Sequence, residues 1–110
     1  MKLPHREKAY IPDAKIQDYL LSKIHSVGRS KARFFRAHGF DETKKDLLVQ
    51  QLMNIVHSEE VKEIVTSPYG IKYILEGALE TPLGNLVKVR TVWIIDENKD
   101  RPRFVTAYPL

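Results

Sequence analysis

Two β-rich runs near the end of the chain constrain its fold more than any other stretch. Leu86-Val87-Lys88-Val89-Arg90-Thr91-Val92-Trp93-Ile94-Ile95 and Arg103-Phe104-Val105-Thr106-Ala107-Tyr108-Pro109-Leu110 are dense in β-branched and aromatic residues. The polar segment between them, Asp96 to Pro102, supplies Asp, Asn and Pro for a turn, so the pattern predicts a β-hairpin with a long loop. If Ile95 pairs with Arg103, antiparallel register sets Ile94 opposite Phe104, Val92 opposite Thr106 and Arg90 opposite Tyr108. Alternation then gathers Lys88, Arg90, Thr106 and Tyr108 on one face. Val87, Val89, Thr91, Trp93, Ile95, Val105 and Ala107 fall on the other, the apolar side that a sheet turns toward its helices.

The preceding residues are read by period. Met1 to Pro12 is an extended arm, and Asp13 is a reasonable N-cap for a first helix over residues 13 to 23, with Ile16, Tyr19, Leu20 and Ile24 at helical spacing. Ser22 to Arg29 breaks that spacing and contains Gly28, so it is a loop that delivers His25 and Arg29 to a surface. Ser30 caps a second helix, Lys31 to Ala37, which buries Phe34 and Phe35, leaves Lys31, Arg33 and Arg36 wet, and stops at Gly39. Asp41 caps a third, whose Leu47, Leu48, Leu52, Ile55 and Val56 form an apolar stripe wide enough to lie across a sheet. From Val61 the period becomes two: a strand to Thr66, a turn at Ser67-Pro68-Tyr69-Gly70, a long strand from Ile71 to Glu80 that Gly77 kinks, and a turn at Thr81-Pro82-Leu83-Gly84. Helices followed by strands predict an α+β domain, three N-terminal helices on one face of a four-stranded antiparallel meander. Residues 1–110 form that one domain, with helices inside 13–57 and the sheet inside 61–109.

Composition narrows the function classes. With no cysteine the chain has neither disulfides nor thiolate metal sites, and its scattered histidines follow no metal-binding spacing. No apolar run is long enough to span a bilayer, and the residues after Met1 are polar where a signal peptide would be apolar, so a cytoplasmic protein without membrane contact is expected. A net charge of +4 tilts the partner toward a polyanion. There is no glycine-rich phosphate loop, no His-Glu-x-x-His helix and no nucleophile elbow, and no cofactor is expected.

The runs His25-Ser26-Val27-Gly28-Arg29-Ser30-Lys31-Ala32-Arg33-Phe34-Phe35, Tyr69-Gly70-Ile71-Lys72-Tyr73, Val89-Arg90-Thr91-Val92-Trp93-Ile94 and Pro102-Arg103-Phe104-Val105-Thr106-Ala107-Tyr108-Pro109 resemble a small bacterial family, DUF6883, over nearly the whole chain. Members of that family occur as short free-standing proteins and as terminal domains of polymorphic secreted toxins. The helices-then-meander order and a last strand ending Thr-Ala-Tyr-Pro are also similar to the superfamily of ribonuclease toxins that includes barnase, EndoU and RelE. The resemblance implies a metal-independent ribonuclease toxin with RNA as substrate and a cognate antitoxin or immunity protein as partner.

Such chemistry needs a base for the 2′-hydroxyl, an acid for the leaving 5′-oxygen and cations for the phosphoryl charge. His25 is the acid or base, Lys31 and Arg90 clamp the phosphate, and Thr106 and Tyr108 orient the phosphate or the leaving oxygen. Arg29, Arg33, Lys72, Lys88 and Arg103 extend the basic surface for substrate, and Tyr69 or Tyr73 is a candidate for base stacking. Each has a plainer reading: His25 as a helix cap, Arg90 as the partner of Glu76 or Glu80, His38 and His57 as helix C-terminal residues, Trp93 as core. The alternative function is a non-catalytic RNA-binding or toxin-neutralising module using the same basic face. The open edge of the last strand is a further place for a partner.

Overall fold

The computed structural model describes residues 1–25 and 28–110; Ser26 and Val27, in the loop expected to deliver His25, lie outside the described residues. Helix α1 is an α-helical Asp13–Lys15 that widens into a π-helical Ile16–Leu20, closed by the Leu21 N–H on the Ile16 carbonyl. Helices α2 (Arg29–Ala37) and α3 (Lys45–Ser58) follow, then strands β1 (Glu63–Ser67), β2 (Gly70–Glu80), β3 (Leu86–Asp96) and β4 (Arg103–Pro109). The strands pair antiparallel in the order β1-β2-β3-β4, so the fold is the expected α+β meander with its helices N-terminal.

Local chemistry sets the boundaries. Pro12, not Asp13, is the N-cap of α1, and the π turn ends the helix early, which leaves Ile24 93% exposed outside the predicted stripe. Helix α2 begins at Arg29 on a Gly28 N-cap, so Ser30 lies inside it rather than capping it. At its other end Gly39 takes φ +92, and the N–H groups of Gly39 and Phe40 bond the carbonyls of Arg36 and Phe35, a Schellman closure. Phe35 is fully buried and Phe34 only half so. Asp41 does cap, accepting from the Thr43 N–H, but what it caps is a 3-10 turn, Glu42–Lys44, that leads into α3.

The core lies between α3 and the sheet. Leu48, Leu52, Ile55 and Val56 meet Tyr73, Leu75, Leu79, Val89 and Trp93, and burying each aliphatic side chain contributes about 1.5–3 kcal/mol. Strand pairing runs residue for residue through Gly77, without a bulge there. A Cβ at Gly77 would sit 2.9 Å from Ile55 Cγ1, so the glycine instead lets α3 approach the sheet closely.

The hairpin register changes partway along. Arg90↔Tyr108 and Val92↔Thr106 pair as predicted, but Trp93 faces Phe104 and Ile94 faces Arg103, with an irregularity between Val92 and Trp93. Val105 is the extra residue of a bulge. The bulge turns Phe104, not Val105, into the core against Trp93, at a ring separation of 5.2 Å. The edge of β4 is also less open than expected, because Tyr10 of the N-terminal arm donates to the Pro102 carbonyl and accepts from the Phe104 N–H. The bare edge is β1, with Ile64 48% and Val65 41% exposed.

Candidate functional site

Among the described residues, three hydrogen bonds hold His25 to its neighbours. Its backbone N–H donates to Ser22 Oγ (3.1 Å), its carbonyl accepts the Arg29 N–H (2.9 Å), and its ring Nδ1 accepts the Gly28 N–H (2.9 Å). The imidazole therefore caps α2, and with Nδ1 taken the ring proton of neutral His25 belongs on Nε2. Tyr19, on the π turn of α1, stands edge-on to that imidazole with centroids 5.1 Å apart, and the ammonium groups of Lys15 and Lys31 lie 4.9 and 5.6 Å from the Tyr19 ring centre. The Tyr19 hydroxyl is 3.1 Å from Thr106 Oγ1, which ties the helical layer to β4.

Thr106 and Tyr108 share the sheet face turned away from α3, opposite Val92 and Arg90. Arg90 donates from Nε and Nη2 to Glu76 Oε2 at 2.8 and 2.5 Å. Glu76 first, and Tyr108 second, hold the guanidinium above its ordinary range. Along β4 the two groups of residues become neighbours: His25, Tyr19, Lys31 and Thr106 on one side, Tyr108, Arg90 and Glu76 on the other.

The remaining candidates lie elsewhere. Lys72 and Arg103 both flank Ile94 across the sheet, and Ile94 is 5% exposed. Arg103 is further paired with Asp96 at 3.1 Å, which raises its guanidinium. Lys88 lines a shallow cleft with Glu59 and Glu76 at the other end of the same face. Arg29 and Arg33 project from α2 into a separate cleft with Lys23 and Arg36. Tyr69 is exposed on the β1–β2 turn and Tyr73 is buried in the core, out of reach of a base. His38 packs against Phe34 (4.9 Å), His57 is exposed in the last turn of α3, and Trp93 is fully buried with its indole N–H on Thr91. Sequence reasoning placed Tyr19 in an apolar stripe and missed its part in the cluster. The available signal was a phenol at an otherwise apolar position, whose hydroxyl needs a partner when the ring packs.

Among the described residues no three His, Asp or Glu side chains converge as a metal site would require, and no helix is long and apolar enough to cross a membrane. The molecule is thus an α+β domain with a tyrosine-histidine cluster where its helical hairpin meets the last strand. The chain belongs to the family described as Domain of unknown function (DUF6883), whose model matches residues 2–110. It is also similar to a chain of the solved contact-dependent growth inhibition toxin - immunity protein complex from Klebsiella pneumoniae 342. The two superimpose with a TM-score of 0.73 over 96% of each chain at 19% identity, a likeness of fold. Comparison with curated proteins gives no match.

Proposed function

We propose that this chain is a metal-independent ribonuclease of a toxin system, held in check by a cognate immunity or antitoxin protein. One observation carries the reading: the Tyr19 bridge brings the loop histidine, His25, to the edge of the face that carries Thr106, Tyr108 and Arg90. The fold it shares with a chain of a toxin and immunity protein complex supports the toxin setting. In this reading the 2′-oxygen of RNA attacks phosphorus, the bond to the 5′-oxygen breaks, and a 2′,3′-cyclic phosphate and a 5′-hydroxyl result. Once the Gly28 N–H bond to Nδ1 opens and the ring proton moves to Nδ1, His25 takes the 2′-hydroxyl proton at Nε2 and returns it to the departing oxygen, while Lys31 and Arg90 hold the phosphoryl charge and Thr106 and Tyr108 hydrogen-bond the phosphate.

That proton path has a structural requirement. Whether His25 acts as base or as acid, it passes through the imidazolium, whose Nδ1 carries a proton and no longer accepts the Gly28 N–H. Turnover therefore includes opening of the Gly28–His25 hydrogen bond, at a cost of about 1 kcal/mol. The same observation favours the second reading, a non-catalytic RNA-binding or toxin-neutralising module, in which the Gly28–His25 cap and the Arg90–Glu76 pair are simply structural.

The two separate on total RNA incubated in excess EDTA with the parent protein, His25→Ala and Arg90→Ala. The nuclease reading expects fragments from the parent and a loss of about a hundredfold or more in each variant, the scale of a positioned acid-base or charge-stabilising group. Intact RNA in every lane, with all proteins folded, contradicts it and leaves the binding module.

A further inference from the structure

Helix α2 presents two differently equipped flanks. Ala32 and Phe35 are buried and set the core direction; Lys31 turns to one side of it, over the Tyr19 ring, while Arg29, Arg33 and Arg36 recur at helical spacing on the other. On that second flank is a cleft of about 550 Å³, lined by Lys23, Arg29, Arg33 and Arg36 with Ala32 and Ala37 between them. No carboxylate is among the described residues lining it. Arg36 is fixed from behind: its Nε and Nη2 donate to the Leu21 carbonyl at 3.1 and 2.6 Å, and Glu42 pairs with it from outside the cleft. Arg29 and Arg33 are exposed and make no ion pair among the described residues, which leaves their guanidinium groups facing the cleft for a ligand.

We infer that this cleft is a second anion site, which takes the phosphodiester backbone of single-stranded RNA beyond the reacting bond. The inference rests on the RNA-directed reading above and extends it to where the strand runs. Three features select this ligand. Guanidinium groups outnumber the single ammonium, and the planar fork suits the paired oxygens of a phosphodiester. Among the described residues the walls carry no aromatic side chain, so the bases are not gripped and the site reads backbone without sequence. Among the described residues the apolar lining is two alanines, whereas a docking site for an acidic protein is anchored by aromatic or large aliphatic side chains. A strand lying here crosses the start of α2 to reach His25 and Lys31 on the opposite flank, so one short helix divides substrate holding from chemistry.

The test is anisotropy of a fluorescein-labelled, fully 2′-O-methylated single-stranded RNA, which the proposed reaction cannot cleave, titrated in EDTA over a range of salt. The full chain is compared with Arg29→Ala/Arg33→Ala, and thermal melting checks that both are folded. Each phosphate contact on a single strand contributes about 0.7 to the slope of log affinity against log salt, so losing two flattens it by about 1.4. At about 0.1 M salt that is a loss of roughly 25-fold relative to 1 M. An unchanged slope and affinity in the double variant overturn the inference even if the parent cleaves ordinary RNA. So does absence of parent binding. Parent binding that weakens as stated, with no cleavage of ordinary RNA, keeps the cleft and removes the nuclease reading instead. Polyaspartate titrated in parallel covers the other occupant: if the double substitution abolishes its binding and leaves RNA binding intact, the cleft serves an acidic polypeptide and the inference fails.

Discussion

Gly28→Ala is the perturbation whose outcome depends most on the geometry at the α1–α2 junction. Gly28 has an ordinary helical backbone, φ −81 and ψ −17, so nothing in its dihedrals disfavours alanine. Space does. A Cβ there would lie 2.3 Å from the Tyr19 carbonyl oxygen and 3.0 Å from Tyr19 Cδ1, and since the first obstacle is backbone, α1 and α2 must separate by at least about 0.7 Å to restore a contact of 3 Å. Overpacking of this kind costs about 1–3 kcal/mol, and losing the Gly28 N–H bond to His25 Nδ1 adds about 1 kcal/mol. Alanine's helical advantage does not offset this, because Gly28 is the N-cap, where alanine is among the poorer residues. The net loss is about 2–4 kcal/mol, a fall in Tm of roughly 8–16 °C for a domain of this size. Gly84→Ala is the control: nothing lies within 4 Å of its Cβ, and only its φ of +84 resists, at about 1–2 kcal/mol. Calorimetric melts of the three proteins measure both. A Gly28→Ala protein that melts with the parent, or above it, refutes the close approach of Gly28 to Tyr19 and with it the placement of His25.

Thr91 is fully buried, donates to the Leu75 carbonyl and accepts the Trp93 indole N–H, both at 2.9 Å, so isosteric Thr91→Val leaves that N–H unpaired and costs about 2–4 kcal/mol in urea unfolding; a change below about 0.5 kcal/mol contradicts the bond pattern. Tyr19→Phe and Thr106→Val each remove one side of the bond between α1 and β4. Each should cost about 1 kcal/mol, and the pair about the same as either alone, whereas strict additivity in the double-mutant cycle shows the hydroxyls do not interact. Glu42 is held down from 4.5 to about 2, chiefly by its hydrogen bond with Arg36. A carboxyl depressed on folding contributes stability above its unfolded pKa and loses it as pH falls through the folded one. The parent's Tm should therefore drop more steeply between about pH 5 and pH 2 than that of Glu42→Gln, and parallel curves count against the pair.

The fold class was legible because two hydrophobic periods occupy separate halves of the chain. Leu48, Leu52, Ile55 and Val56 repeat at helical spacing and became the core face of α3, while the alternation from Val87 to Ile95 became the core side of β3. What alternation does not carry is a bulge. Val105 is a good strand residue like Phe104 and Thr106 beside it, and only the pairing of Trp93 with Phe104 shows that one residue was added. Helix starts were legible only where a short polar side chain does the capping. Asp41 was found that way, whereas α2 is capped by the ring of His25 from three residues before Gly28, which a search for Ser or Thr assigns wrongly to Ser30. In the candidate site, the pairing of Arg90 with Tyr108 followed from register, and the need of a charge on a sheet for a partner pointed to Glu76 or Glu80, of which Glu76 holds Arg90. Tyr19 did not, because the π turn that aims it at His25 and Thr106 has no periodic signature. The basic residues were legible one by one, but their division between two flanks of α2 and the open sheet face depends on which side the core takes.

The ends of any RNA fragments formed test the proposed ribonuclease chemistry most directly. Purified protein is incubated in EDTA with a synthetic single-stranded RNA and with its 2′-O-methyl counterpart, and the products are analysed by mass spectrometry. Attack by the 2′-oxygen predicts a 2′,3′-cyclic phosphate on one fragment, a 5′-hydroxyl on the other, and no cleavage of the methylated strand. Fragments bearing 5′-phosphates, cleavage of the methylated strand, or intact RNA with folded protein would each contradict the mechanism assigned to His25 and its neighbours on β4.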